Sequence, residues 1–121
     1  MKFLLTCLLA VVPSFAIADF IHPMEFNGSA QQKNEVIEFI KAQVKKDYCD
    51  SGIDMCQPTT LRMMEKVNLK AFKQSSQASD RQVMDQVISD YCYSGIDMCN
   101  YTTIHMMYQQ NLQASQQELT W

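Results

Sequence analysis

The sequence predicts an all-α protein in which two duplicated, disulfide-stapled helix-loop-helix hairpins pack as a small four-helix unit. The phrase "YCDSGIDMC", Tyr48 to Cys56, returns as "YCYSGIDMC", Tyr91 to Cys99. Residues 47–74 match residues 90–117 at 17 of 28 positions, among them Thr59 with Thr102 and Met63 with Met106, so one supersecondary unit is written twice. Within each copy the apolar residues recur at helical spacing, and no stretch alternates apolar and polar as a half-buried strand would.

The first 18 residues, "MKFLLTCLLAVVPSFAIA", place Lys2 before a short apolar run, Pro13, and small residues at Ala16 and Ala18. That is the layout of a cleaved signal peptide, with the cut expected after Ala18. The apolar run falls short of the roughly 20 residues needed to span a bilayer. Cleavage would remove Cys7 and leave one modest domain in an oxidising compartment: the periplasm first, the extracellular space as the other option. Residues 19–28, with Pro23 among large apolar side chains, read as an extended N-terminal arm across the bundle.

The first hairpin repeat occupies residues 29–73, with helices expected near 29–51 and 57–73. Val36, Ile37, Ile40, Val44 and Tyr48 share one stripe of its first helix; Leu61, Met64, Leu69 and Phe72 face inward from its second. Residues 74–79, polar throughout apart from Ala78, form the linker. The second repeat spans 80–121, with helices near 80–94 and 100–116 and inner faces built by Val83, Met84, Val87, Ile88 and Tyr91, then Ile104, Met107, Tyr108 and Leu112. Ser29 with Gln32, and Ser79 with Gln82, have capping-box spacing. The second helix of each hairpin is expected to be capped at Asp54 or Gln57, and at Asp97 or Asn100. Gly52 and Gly95 can take the left-handed conformation that ends a helix, folding Ile53 and Ile96 back onto Tyr48 and Tyr91; these four residues form the helix-stop elbow.

Each elbow brings two cysteines together. Cys49 lies off the apolar stripe, at the hairpin rim, which favours local bridges, Cys49–Cys56 and Cys92–Cys99. Cross-bridges, Cys49–Cys99 and Cys56–Cys92, are the rival pattern. Zinc is not expected, because six residues separate the cysteines of each pair where structural zinc sites usually place two to four.

Residues 19–121 carry nine Lys and Arg against thirteen Asp and Glu, a net of −4, which excludes a nucleic-acid footprint. The charge is uneven: residues 33–74 hold eight basic and six acidic side chains, residues 75–121 one basic and five acidic. No nucleophile, base and orienting acid are nominated as a set, so no catalytic residue, cofactor or metal site is assigned and an enzyme is not expected. His22 stands before Pro23 in the arm, and His105 replaces Arg62 of the first copy. Asp47 and Asp54 recur as Asp90 and Asp97 without the dense oxygen pattern of a calcium loop. Asn27-Gly28-Ser29 and Asn100-Tyr101-Thr102 match the glycosylation pattern, which matters only in a eukaryotic secretory route.

The expected function is that of a protein-binding module (an inhibitor, an immunity-type protein or an envelope chaperone) whose partner is another envelope or secreted protein. The alternative is a Cu(I)-binding envelope protein using the soft sulfur of Met and Cys, with Met63, Met64, Met106 and Met107 the methionines to test among eight beyond residue 18. Adjacent methionines point to different helix faces, and methionine is also an adaptable filler of cores and grooves.

Overall fold

The structure, a computed structural model, describes residues 19–121 apart from Ser51 and Ile53. The expected signal peptide and the elbow residue Ile53 therefore lie outside the described residues. Among those described there are four α-helices and no strand: α1 (Ala30–Cys49), α2 (Pro58–Ser75), α3 (Arg81–Cys92) and α4 (Tyr101–Ser115), preceded by a 3-10 turn at Pro23–Glu25.

The helix starts follow from side-chain capping of free amides. Ser29 Oγ accepts from Gln32 N at 3.1 Å, and Gln32 Oε1 accepts from Asn27 N at 2.8 Å. The Gln32 side chain thus reaches two residues beyond the Ser29 amide that a capping box would use. Asn100 Oδ1 accepts from Thr103 N at 2.8 Å, which selects Asn100 over Asp97. Gln57 precedes α2 without a side-chain cap bond, and Pro58 fills the first turn, where a missing N–H costs least. The start of α3 differs from expectation by one residue. Asp80, not Ser79, is the N-cap, its carboxylate accepting from Val83 N at 3.0 Å. A carboxylate at that end also gains from the helix dipole.

The elbows differ more. Gly52 and Gly95 do take positive φ, at 79° and 83°, but the helices have already ended at Cys49 and Cys92. Ile96 is 52% exposed and does not close against Tyr91 as a buried staple. The disulfides exclude a helix that runs on through the loop. They join Cys49 to Cys56 and Cys92 to Cys99, with Cα atoms 4.6 and 4.5 Å apart across seven residues. Seven residues of continued helix would separate those atoms by roughly 10 Å. The chain must turn between the two cysteines, and the glycines serve the loop beyond the helix end. The connection to α3 is shorter than expected, since α2 continues through Ser75 and closes with Ser76 N donating to Phe72 O at 2.9 Å.

Helix contacts run in the order α1–α2–α4–α3. Val36, Ile40 and Val44 of α1, Ala71 and Phe72 of α2, Met84, Val87 and Ile88 of α3, and Tyr101, Ile104 and Tyr108 of α4 form one buried cluster. Fully burying a side chain of this size is worth about 1.5–3 kcal/mol. Where α2 meets α4, buried Asn68 donates to Met64 O at 2.9 Å and accepts from Thr102 N at 3.3 Å. Ser75 Oγ lies 3.4 Å from His105 Nδ1, and burial pushes the His105 imidazole below its ordinary pKa. Repeat-related residues make the same bonds elsewhere. Gln43 with Asp47 corresponds to Gln86 with Asp90, and Asn68 with Met64 O to Asn111 with Met107 O.

The arm is pinned along its length. The Tyr101 hydroxyl donates to Ile21 O at 2.9 Å and lies 3.2 Å from Ile21 N, which donates to it. Phe20 stacks on Tyr101, and Phe26 meets Phe72 edge-on, with ring centroids 5.3 and 5.1 Å apart. His22 Nδ1 accepts from Met24 N, leaving Nε2 to bond Asp85 at 2.7 Å. Arg81 joins that group, bonding Glu25 at 2.7 Å and Asp85 at 2.9 Å.

Candidate functional site: the α1/α2 groove

α1 packs chiefly on α2, and the two leave a groove between their outward edges. One hollow, about 300 Å³, is lined by Phe26, Val36, Ile37, Leu69 and Phe72, with Lys33 and Lys73 at its sides. A second, about 200 Å³, shares Ile37 and Leu69 and continues past Ile40 between Lys41, Arg62, Glu65 and Lys66. Shared residues make the two one channel. Ile37, which the helical stripe placed inward, is 38% exposed and forms the lip of this channel. Phe26 supplies its end wall, so the pinned arm helps to shape it.

The rim is cationic. Lys33, Lys41, Arg62, Lys66 and Lys73 line the two hollows against one acid, Glu65. Arg62 bonds Glu65 at 2.7 Å, and Lys41 lies 3.7 Å from Glu38. Among the described residues Lys33, Lys66 and Lys73 make no ion pair. On α2, Arg62, Lys66, Lys70 and Lys73 fall within about 80° of arc at 100° per residue, a single stripe. At the repeat-related positions α4 and its C-cap carry His105, Gln109, Gln113 and Gln116. At the offset of 43 residues Met64 matches Met107 and Leu69 matches Leu112, all four packed against the core, while only the first segment carries this charge.

The sequence-expected site residues lie elsewhere. The described residues of both elbows are largely exposed, and Lys46 of α1 reaches Asp97 of the second elbow at 2.7 Å, a bond that raises the Lys46 pKa. Beside Lys46 in the chain, burial pushes the Asp47 carboxyl up. The methionines divide by environment. Met64, Met84 and Met107 pack in or against the core, while Met55 and Met63 stay exposed, as do Met98 and Met106. Among the described residues no group of three His, Cys, Asp or Glu side chains is placed to hold a metal ion, and no helix is long and apolar enough to cross a membrane. Two closed disulfides are features of proteins that fold under oxidising conditions.

Sequence reasoning located the excess of basic residues in 33–74 but not the groove. The signal available was the set of charge-to-neutral changes between copies, clustered on one face of one helix. Compared with family models, with curated proteins and with solved structures, the chain matches none.

Proposed function

We propose that this chain is a small exported helical protein of the periplasm, built from two duplicated stapled hairpins as a four-helix unit, that holds another protein in the α1/α2 groove. The observation that carries this reading is the coincidence of an apolar channel with a cationic rim on the first copy alone. Exposed apolar channels edged by charge are a common form of protein interaction surface. The repeated side-chain bonds and the repeated local disulfides support the duplication. The layout of residues 1–18 and the disulfides support export. An inhibitor, an immunity-type protein and an envelope chaperone all work by such a surface, and none requires this chain to be an enzyme.

The test is recovery of a tagged protein from its own compartment, wild type beside Ile37→Asp. Ile37 is exposed enough for the substitution to leave the core intact. A stoichiometric partner is expected with the wild type and lost with the variant. Equal recovery, or none with either, overturns the proposal. The copper alternative would now rest on exposed Met55, Met63, Met98 and Met106, since Met64 and Met107 are engaged in packing.

A further inference from the structure

We propose that the occupant of the groove is an acidic amphipathic helix of the partner protein, a refinement that rests on the protein-binding reading above. Its length follows from the lining residues. Lys33 to Lys41 on α1 and Arg62 to Lys73 on α2 correspond to roughly 12 and 16 Å of helix axis, the space of two to three helical turns. The floor is hydrocarbon from Phe26 through Ile37 and Leu69 to Ile40. Two hollows meeting at Ile37 and Leu69 suit successive apolar anchors at i, i+3 or i+4, and i+7. Among the described residues there is no strand, so no sheet edge can recruit an extended peptide instead.

The charge sets the sign of the partner. Lys33 and Lys73 bracket one hollow, while Lys66 borders the other, and none of these three is neutralised by an ion pair among the described residues. An apolar face dropped between these rows leaves its flanking positions beside ammonium groups. Carboxylates there gain attraction; lysines meet like charge. Such rim charges chiefly select the partner and speed its approach. The second copy makes an internal comparison, because its matching helix α4 carries no Asp, Glu, Lys or Arg and cannot discriminate in this way.

The experiment is fluorescence anisotropy of the disulfide-bonded protein with two synthetic amphipathic helices that share one leucine face, one flanked by Glu and the other by Lys. Binding of the Glu-flanked helix is expected, weakened roughly tenfold in a Lys33→Glu/Lys73→Glu double variant and by added salt, with no binding of the Lys-flanked helix. Both lysines are exposed, so an unchanged melting curve shows that the variant remains folded. Equal binding of both helices overturns the acidic occupant and leaves protein binding standing. The acidic occupant is likewise overturned if neither helix binds while the tagged wild type, but not Ile37→Asp, still recovers a protein. Binding of anionic lipid vesicles with neither helix bound, or self-association abolished by Ile37→Asp, overturns both readings.

Discussion

Tyr101→Phe removes one oxygen atom and tests how the N-terminal arm is held. Tyr101 is fully buried, and its ring lies 4.8 Å from that of Phe72, 5.3 Å from Phe20 and 5.5 Å from Phe39. Phenylalanine keeps that ring packing. What disappears is the hydroxyl, which donates to Ile21 O and accepts from Ile21 N. Leaving a buried polar group unpaired costs about 1–3 kcal/mol. Ile21 is half-buried, so water can reach the freed amide in part, and the lower portion of that range applies, about 1–2 kcal/mol. In a domain of this size each kcal/mol moves Tm by roughly 4–8 °C. Tyr101→Ala would remove the ring as well, at about 3–5 kcal/mol. Urea unfolding of the oxidised protein gives the energy, and amide exchange of residues 20–26 shows where it is lost. The hydroxyl-clamp reasoning fails if Tyr101→Phe is as stable as wild type and the Ile21 amide exchanges no faster. The result bears on the groove, because Phe26 of the same arm forms its end wall.

Replacing Cys49 and Cys56 by serine, or Cys92 and Cys99, should each cost about 2.5 kcal/mol on chain-entropy grounds for an eight-residue loop, read by urea melts of the two variants; unchanged melts after full reduction would contradict the stapling role. Asn68→Ala should cost about 1–3 kcal/mol, since it strips Thr102 N of its partner where α2 meets α4. Its repeat-related counterpart Asn111→Ala, at an exposed position, should fall within about 0.5 kcal/mol of wild type, and equal costs would refute the assignment. Arg81 holds the Glu25 carboxyl below the usual range by a hydrogen bond, and His22, then Arg81, do the same for Asp85. Carboxyls depressed in the folded state contribute stability above their unfolded value of about 4 and lose it as pH falls through the folded value. NMR signals of Ile21 should therefore shift toward a detached arm below about pH 4, and a Glu25→Gln/Asp85→Asn variant with the same acid profile would contradict this.

The helices were legible in the sequence because their signals are local. Ser29 and Asn100 cap through their own side chains, and Val36, Ile40 and Val44 recur at a period the chain must bury. Local disulfide pairing was legible because Cys49 sits off that stripe. The one-residue displacement from Ser79 to Asp80 reflects two adjacent residues of nearly equal capping power. The left-handed backbone at Gly52 and Gly95 was legible because glycine alone takes it freely, whereas the exposure of Ile96 was not, since the helix before it ends at Cys92 and the rest of that loop is held by the Cys92–Cys99 bridge. The packing order α1–α2–α4–α3 was not legible, since each helix offers an apolar face and its partner depends on long-range complementarity. For the same reason nothing in the sequence separates Lys33, Lys66 and Lys73 from ordinary solvated charge; only the fold sets Ile37 and Leu69 between them.

Groove binding is tested without purification by a photo-crosslinking scan in the protein's own compartment, with a photoreactive residue placed in turn at Ile37, Lys66, Ser89 and Gln110. Two of these positions line the α1/α2 groove, and two are surface positions on α3 and α4. A partner seated in the groove gives discrete protein adducts at Ile37 and Lys66 that weaken in the Lys33→Glu/Lys73→Glu background, with none at Ser89 or Gln110. Adducts at Ser89 or Gln110 with none in the groove would move the interaction surface to the second repeat and overturn groove binding.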